Sequence, residues 1–265
     1  MRTVDTLQYG SIQVFKFGYS LWGKPNMHAH IYYIDGLLID TGQRLMQKEV
    51  LATIGHLKVN QIFITHHHED HTGNVDVLKQ HFNCPVYASA HCCQLMENPP
   101  KISLAQKMVW GNRPAFFDLI PIKDSIQTPN YQFKCIPIPG HAPDMLALYE
   151  PSQRWLFSAD LYVYHYISYF LYSEEMATQI TSIKRVLELD FELLLCGHNP
   201  QHKDAKKKLQ RKLNFLESFY QQAAQAYQQG LNARQIFKKM KLKENWYVRL
   251  LSNGALSSMN MVKAV

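Results

Sequence analysis

Six consecutive residues, His66-His67-His68-Glu69-Asp70-His71, follow directly on the apolar run Gln61-Ile62-Phe63-Ile64-Thr65. The run reads as a short buried strand, so the six residues form the loop at its end. Imidazole and carboxylate groups suit zinc and similar first-row metals. The pattern His-x-His-x-Asp-His supplies four such donors: His66, His68, Asp70 and His71. One tetrahedral ion needs fewer than that from a single loop. Alternation sends His66 and His68 to one side and leaves Asp70 and His71 to reach a second position. Two metal ions are the economical reading. Each ion then needs further ligands from elsewhere, which constrains how the rest of the chain folds.

Those ligands are present, each just past another predicted strand. Residues 131–138 alternate and end at Pro139-Gly140-His141. Leu146 to Tyr149 and Arg154 to Phe157 read as a hairpin ending at Ser158-Ala159-Asp160. Leu193 to Cys196 is a last short strand before Gly197-His198. Asp160, as a bridging carboxylate, would hold two ions roughly 3.5–4 Å apart. Loops past strand ends converge at one edge of a sheet, where α/β sites form. A lone His-rich loop also occurs as a surface cluster that binds nothing. Three further elements in the right order weigh against that here.

The remaining pattern is mixed. Apolar runs flank Asp35-Gly36, which predicts a two-residue hairpin turn within residues 28–40. The second strand ends at Leu38-Ile39-Asp40-Thr41-Gly42, and a helix of about three turns follows with Leu45, Val50, Leu51 and Ile54 inward. Val75, Leu78 and Phe82 predict another helix, Pro85-Val86-Tyr87-Ala88 a strand, and residues 174–189 a helix. Residues 98–130 are assigned only loosely. Hairpins mixed with strand–helix units predict two mixed sheets packed together with helices outside. The tail is helical: Leu209, Leu213, Leu216 and Phe219-Tyr220 recur at helical spacing, Gly230 is a stop, and Asn232 with Gln235 resembles a capped start.

On these residues the chain resembles the metallo-β-lactamase superfamily across about residues 10–202. The matching pieces are Leu38 to Gly42, the Thr65-to-Asn74 loop, Pro139-Gly140-His141, Ser158-Ala159-Asp160 and Gly197-His198. The resemblance implies an αββα sandwich of the α/β (α+β) class. It also implies that His66, His68 and His141 hold one metal, that Asp70, His71 and His198 hold the other, and that Asp160 bridges. Asp40 would orient a ligand imidazole. The implied chemistry is hydrolysis. A water bridging two cations loses a proton near neutral pH (its pKa falling toward ~7) and the hydroxide attacks an electrophilic centre. Asp70 is also a candidate proton shuttle, so Asp70 and Asp160 are the catalytic carboxylates. Zinc is the expected metal, with iron and manganese the alternatives.

Within that family, hydrolysis of a small ester, thioester or lactone ranks first. Asp160 argues against true β-lactamases, which generally lack the bridging Asp. Flavodiiron-type enzymes put Glu where His68 stands, and persulfide dioxygenases generally use a single iron. Lactonases place Tyr three residues past the bridging Asp, where this chain has Val163, and glutathione-binding features cannot be matched in the tail. The alternative is a phosphodiesterase or ribonuclease using a basic C-terminal region. A catalytically silent metal-binding scaffold is the non-enzyme reading. The aromatic run from Tyr162 to Phe170 follows Asp160, so Tyr162, Tyr164 and His165 are candidates for a substrate pocket, as is His30 on an early strand. The same run and the tail both offer dimer surfaces.

Charge divides the chain. Residues 203–265 hold 13 Lys and Arg against three Asp and Glu, whereas residues 1–202 are slightly acidic. Nucleic acid is one partner for such a tail, and the solvated face of an amphipathic helix is the plainer reading. The expected division is a catalytic domain over residues 1–202 and a basic helical extension over 203–265. The five cysteines include no Cys-x-x-Cys pair and read as buried free thiols. No stretch approaches the ~18 uninterrupted apolar residues of a membrane span. An acid at Asp5 with no apolar run after it reads as a start without a secretory signal, so a cytoplasmic location is expected.

Overall fold

Most strands of this chain are apolar on both faces, and alternate side chains enter different interiors. In the computed structural model, which describes residues 1–265, β1 (Arg2–Tyr9), β2 (Ile12–Tyr19) and β3 (His28–Ile34) form an antiparallel meander. β4 (Leu37–Ile39) pairs back onto β3 through Asp35 and Gly36, at φ 50° and 84°. Those positive values are what the Asp-Gly hairpin turn requires. A 3-10 turn (Arg44–Met46) and α1 (Gln47–Ile54) lead to β5 (Gln61–Phe63). Next come α2 (Glu69–Thr72), α3 (Val75–Phe82), β6 (Val86–Ala88), α4 (Ala90–Glu97), α5 (Leu104–Val109) and β7 (Leu119–Pro121). β4 to β7 pair in parallel and complete a seven-stranded sheet in sequence order.

The second sheet holds β8 (Ser125–Gln127), β9 (Gln132–Pro137), β10 (Leu146–Glu150) and β11 (Trp155–Ala159). β12 (Phe170–Leu171) leaves it, α6 (Met176–Leu187) packs over it, and β13 (Leu193–Cys196) returns parallel to β11. The order is β13-β11-β10-β9-β8. The remainder is α7 (Ala205–Gln228), α8 (Ala233–Lys239), α9 (Trp246–Leu251), β14 (Leu256–Ser257), which pairs with β12, and α10 (Ser258–Lys263). No helix is long and apolar enough to cross a membrane.

Three apolar clusters define four layers. Between the sheets, Val14, Tyr32, Leu37, Ile39 and Phe63 meet Phe133, Leu148, Phe157 and Leu195. Their sequence neighbours point the other way: Phe15, Ile31, Leu38 and Ile62 pack under α1, α3 and α4. Likewise Leu156, Leu194 and Cys196 pack under α6 and α7. A period of two on each strand therefore feeds two interiors at once. The result is the αββα sandwich.

The helix after Gly42 is shorter than its apolar spacing predicts. Residues 44–46 tighten into a 3-10 turn, which buries Met46 and leaves Leu45 only half-buried. Residues 98–130 hold α5, β7 and β8, too short for periodicity to reveal. The tail does not stand apart from the sandwich. Leu209, Leu213, Leu216, Phe219 and Ala223 of α7 share one cluster with strands of the second sheet. The basic residues of α7 lie mostly on its outer face, but Lys212 is buried. Leu216→Ala should therefore cost the whole protein about 2–5 kcal/mol, as for a core leucine. Urea unfolding monitored on the sheet would read this; an unchanged midpoint would make α7 an appendage.

Candidate metal centre

Five strand ends converge on one rim. Asp40 follows β4, His66 to His71 follow β5, His141 follows β9, Asp160 follows β11 and His198 follows β13. Two of these exits require unusual backbone. Asp40 sits at φ 62° and Ala159 at φ 45°, and the β11–β13 register slips between Phe157 and Ala159. Such a bulge turns the side chain that follows it. Gly197 lies so close to the centre that an added Cβ would clash with Asp160 Oδ1 and stand 2.6 Å from His71 Cε1. No larger residue fits there.

The donor atoms fall into two groups, His66, His68 and His141 in one, Asp70, His71, Asp160 and His198 in the other. Within each, they lie within 4.8 Å of one another. Asp160 joins the groups: its Oδ2 is 3.0 Å from His198 Nε2 and 3.4 Å from His141 Nε2, and its Oδ1 is 3.4 Å from His71 Nε2. Asp70 Oδ2 is 3.3 Å from His198 Nε2. His68 Nδ1 and His141 Nε2 face each other at 3.1 Å.

Hydrogen bonds on the far side of the rings aim them inward. Asp40 is the hub. Its Oδ1 accepts from the Thr65 N–H at 2.9 Å, and its Oδ2 accepts from Thr65 Oγ1 at 3.0 Å and His71 Nδ1 at 2.7 Å. His66 Nδ1 donates to Thr65 Oγ1 at 3.0 Å, so one carboxylate orients two imidazoles. His198 Nδ1 donates to the His28 carbonyl at 2.8 Å. Glu174, from the loop before α6, stands 3.4 Å from His141 Nδ1. These bonds fix tautomers. They leave His66 Nε2, His71 Nε2 and Asp160 Oδ1 buried without a hydrogen-bond partner. Orphaned polar atoms of this kind are rare, and here they belong to the two donor groups, so the donor set fits divalent cations.

The electrostatics agree. Burial, reinforced by neighbouring histidines, pushes His66 and His68 well below the usual imidazole range, leaving neutral rings that donate lone pairs. For His198, burial acts downward, but the Asp160 carboxylate outweighs it and lifts the ring to about 9. For Asp160, burial acts upward, and His198 and His71 outweigh it, holding the carboxyl well below its usual range.

Other sequence candidates sit differently. His67 turns away, its Nδ1 donating to Asp144 Oδ1 at 2.7 Å. His30 is buried behind the rim, donating from Nδ1 to the Gly197 carbonyl at 2.9 Å; burial drops its pKa to about 4. Tyr162 is buried in the core. Tyr164 is exposed and its ring stacks on that of His165 at 4.7 Å. Four contributors went unread in the sequence: Asp144, Glu174, Trp110, whose ring stacks on His198 at 5.9 Å, and Lys212. Lys212 Nζ donates to the Leu161 carbonyl at 2.6 Å, one residue past Asp160. Glu174, Trp110 and Lys212 come from segments with no motif to mark them, and Asp144 lies three residues past His141.

With that geometry in hand, comparison with known proteins is decisive. The sequence profile of the metallo-beta-lactamase superfamily matches residues 28–198, more than half the chain. The chain belongs to the metallo-β-lactamase superfamily. An uncharacterized protein of Aquifex aeolicus is 29% identical over 176 residues, covering 62% of this chain and 78% of that one. A hydroxyacylglutathione hydrolase of Bdellovibrio bacteriovorus is 31% identical over 105 residues, 40% of this chain and only 35% of that one. The metallo-β-lactamase from Pontibacter korlensis superposes with a TM-score of 0.64 at 19% identity, over 81% of this chain and 99% of that one. The two His/Asp groups of this metallo-β-lactamase superfamily member make up a site suited to divalent metal.

Two outcomes follow. Asp40→Ala should weaken metal affinity by about 10–100-fold, since it frees the orientation of two rings; competition against a chromophoric chelator measures this, and wild-type affinity would remove Asp40 from the network. Lys212 offers a pH test. Burial lowers its pKa from 10.5 to about 8. Between those values the unfolded chain holds a proton that the folded one lacks, so stability gains as pH rises. The urea midpoint of the wild type should climb relative to Lys212→Met across that window. A constant difference would show that Lys212 titrates normally.

Proposed function

We propose that the chain hydrolyses a small ester, thioester or lactone at a two-metal centre. The observation that carries this is the Asp160 carboxylate, whose two oxygens reach histidines of both donor groups. His66, His68 and His141 would hold one ion, Asp70, His71 and His198 the other, with Asp160 between them. Zinc suits imidazole and carboxylate donors, and iron or manganese are the alternatives. Two cations bound there would polarise a scissile carbonyl and bring the pKa of water down toward ~7.

The chain's own residues do the rest. Asp40 holds His71 directly and His66 through Thr65, and the His28 carbonyl holds His198. Preorganised groups of this kind need no rearrangement as charge develops in the transition state. Asp70, beside His198, is positioned to carry a proton toward the leaving group. Trp110 walls one side of His198. Asn199 Nδ2 donates to the Val163 carbonyl at 3.1 Å, which ties the aromatic loop to the His198 loop; Tyr164 and His165 of that loop are the proposed substrate contacts. His30 and Tyr162 support that rim from behind. The Bdellovibrio relative is named for a hydroxyacylglutathione, a thioester, so thioesters head the substrate list.

Phosphodiester cleavage is the second reading. Lys203, Lys207 and Arg211 are exposed at the start of α7, a few residues past His198, where they could hold a nucleic-acid backbone.

Elemental analysis paired with turnover of one aryl ester, one thioester, one lactone and one phosphodiester separates the readings. The expected result is close to two metals per chain with carboxyl-type turnover, and a loss of metal and of at least ~100-fold activity in Asp160→Ala and His141→Ala. Near-wild-type turnover in either variant would overturn the ligand assignment. Preference for the phosphodiester would promote the second reading.

A further inference from the structure

The tail carries an apolar surface that the sandwich leaves uncovered. In α9 no residue is buried, and Trp246, Tyr247 and Leu250 are 70%, 80% and 81% exposed. Trp246 with Leu250, and Tyr247 with Leu251, are spaced by one helical turn, so all four stand on adjoining stripes. Leu250 and Leu251 line a depression of about 740 Å³ together with Leu104 of α5 and Tyr172. Leu104 and Tyr172 are themselves exposed. The patch therefore spans three separate chain segments. Ser103, Ser252 and Asn253 also line the depression, so the surface is mixed, with large exposed apolar groups clustered on it as at an interaction site.

Its rim is cationic. Lys101 and Lys263 line the same depression and are exposed; Lys243 lines a separate depression beside Tyr166 and Met261. The Arg249 guanidinium lies over the Trp246 ring at 5.3 Å and holds it outward. Nearby acids are few. Glu244 is tucked beneath, accepting from the Ser258 N–H at 3.0 Å and pairing with Arg249 at 3.4 Å; Glu175 is exposed beyond Tyr172.

We propose that this face docks on an anionic lipid surface. Exposed Trp, Tyr and Leu ringed by Lys is the composition of an interfacial helix, with aromatic rings at headgroup depth and cations on acidic headgroups. Charge decides against a second copy of the chain as the occupant. A two-fold contact would press together two rims that each carry Lys101 and Lys263, whereas an acidic bilayer neutralises them. Docking sets the metal centre beside the lipid surface. α5 carries Leu104 into the patch, and the residue that follows it is Trp110, stacked on His198.

The test is sedimentation of the full chain with phosphatidylcholine vesicles, with and without roughly one-third phosphatidylglycerol. The expected result is binding that needs the anionic lipid, weakens with salt, and falls by about tenfold or more in Trp246→Ser/Leu250→Ser. Both residues are exposed, so the variant should keep the wild-type Tm and metal content. Three results would each overturn the proposal: no binding to acidic vesicles, equal binding by the variant, or a wild-type dimer that the variant dissolves without any vesicle binding. None of these readings depends on turnover, so the hydrolase assignment stands or falls separately.

Discussion

Burial of carboxylates beside imidazoles, with no water-facing alternative, is the constraint on which this molecule turns. Asp40, Asp70 and Asp160 are all nearly buried within one rim. A carboxylate taken from water needs donors or cations to replace the lost hydration. Asp40 finds donors in Thr65 and His71. Asp160 faces His71, His141 and His198 at 3.0–3.4 Å, yet one of its oxygens and two ring nitrogens still lack hydrogen-bond partners. A rim so arranged is complete only with cations in it. The strained exits at Asp40 and Ala159 and the close approach of Gly197 all serve that one convergence.

The sandwich makes the convergence rigid. Phe63, Phe157 and Leu195 lock the sheets face to face just before the rim, and their neighbours Ile62, Leu156 and Leu194 anchor the same strands to the outer helices. A displaced strand end would have to disturb two close-packed interiors. α7 contributes to one of those interiors and sends Lys212 beneath the loop that carries Asp160. The tail thus joins the site to the surface around α9, and most of its basic residues lie on the outer face of α7 and on and just after α8.

Much of this was legible in the sequence because chemistry and periodicity marked it. His66, His68, Asp70 and His71 are dense enough to stand out in one line of text. Asp35-Gly36 named its own turn, and Asn232 with Gln235 named its cap, which forms in full. Residues 98–130 resisted reading because α5, β7 and β8 are too short to show a period. Lys212 reads as one more surface charge in a basic run. Its position, three residues after Leu209 and four before Leu216, falls on the apolar stripe, but a lysine there reads as the polar edge of that stripe.

The sequence by itself determined which His and Asp residues reach one rim, the order of their four pieces and the strand ends that carry them, because a dense His/Asp run stands out and alternation exposes those strands. Asp40 is marked by its Leu38-to-Gly42 run; only the tertiary structure decided the other groups behind the donors. Asp144 meets His67 across 77 residues, and Glu174 comes to His141 from the far side of β11. Such partners are single polar residues without a motif. They acquire a role when the packed sheets bring them within hydrogen-bond reach, and that distance is a property of the fold.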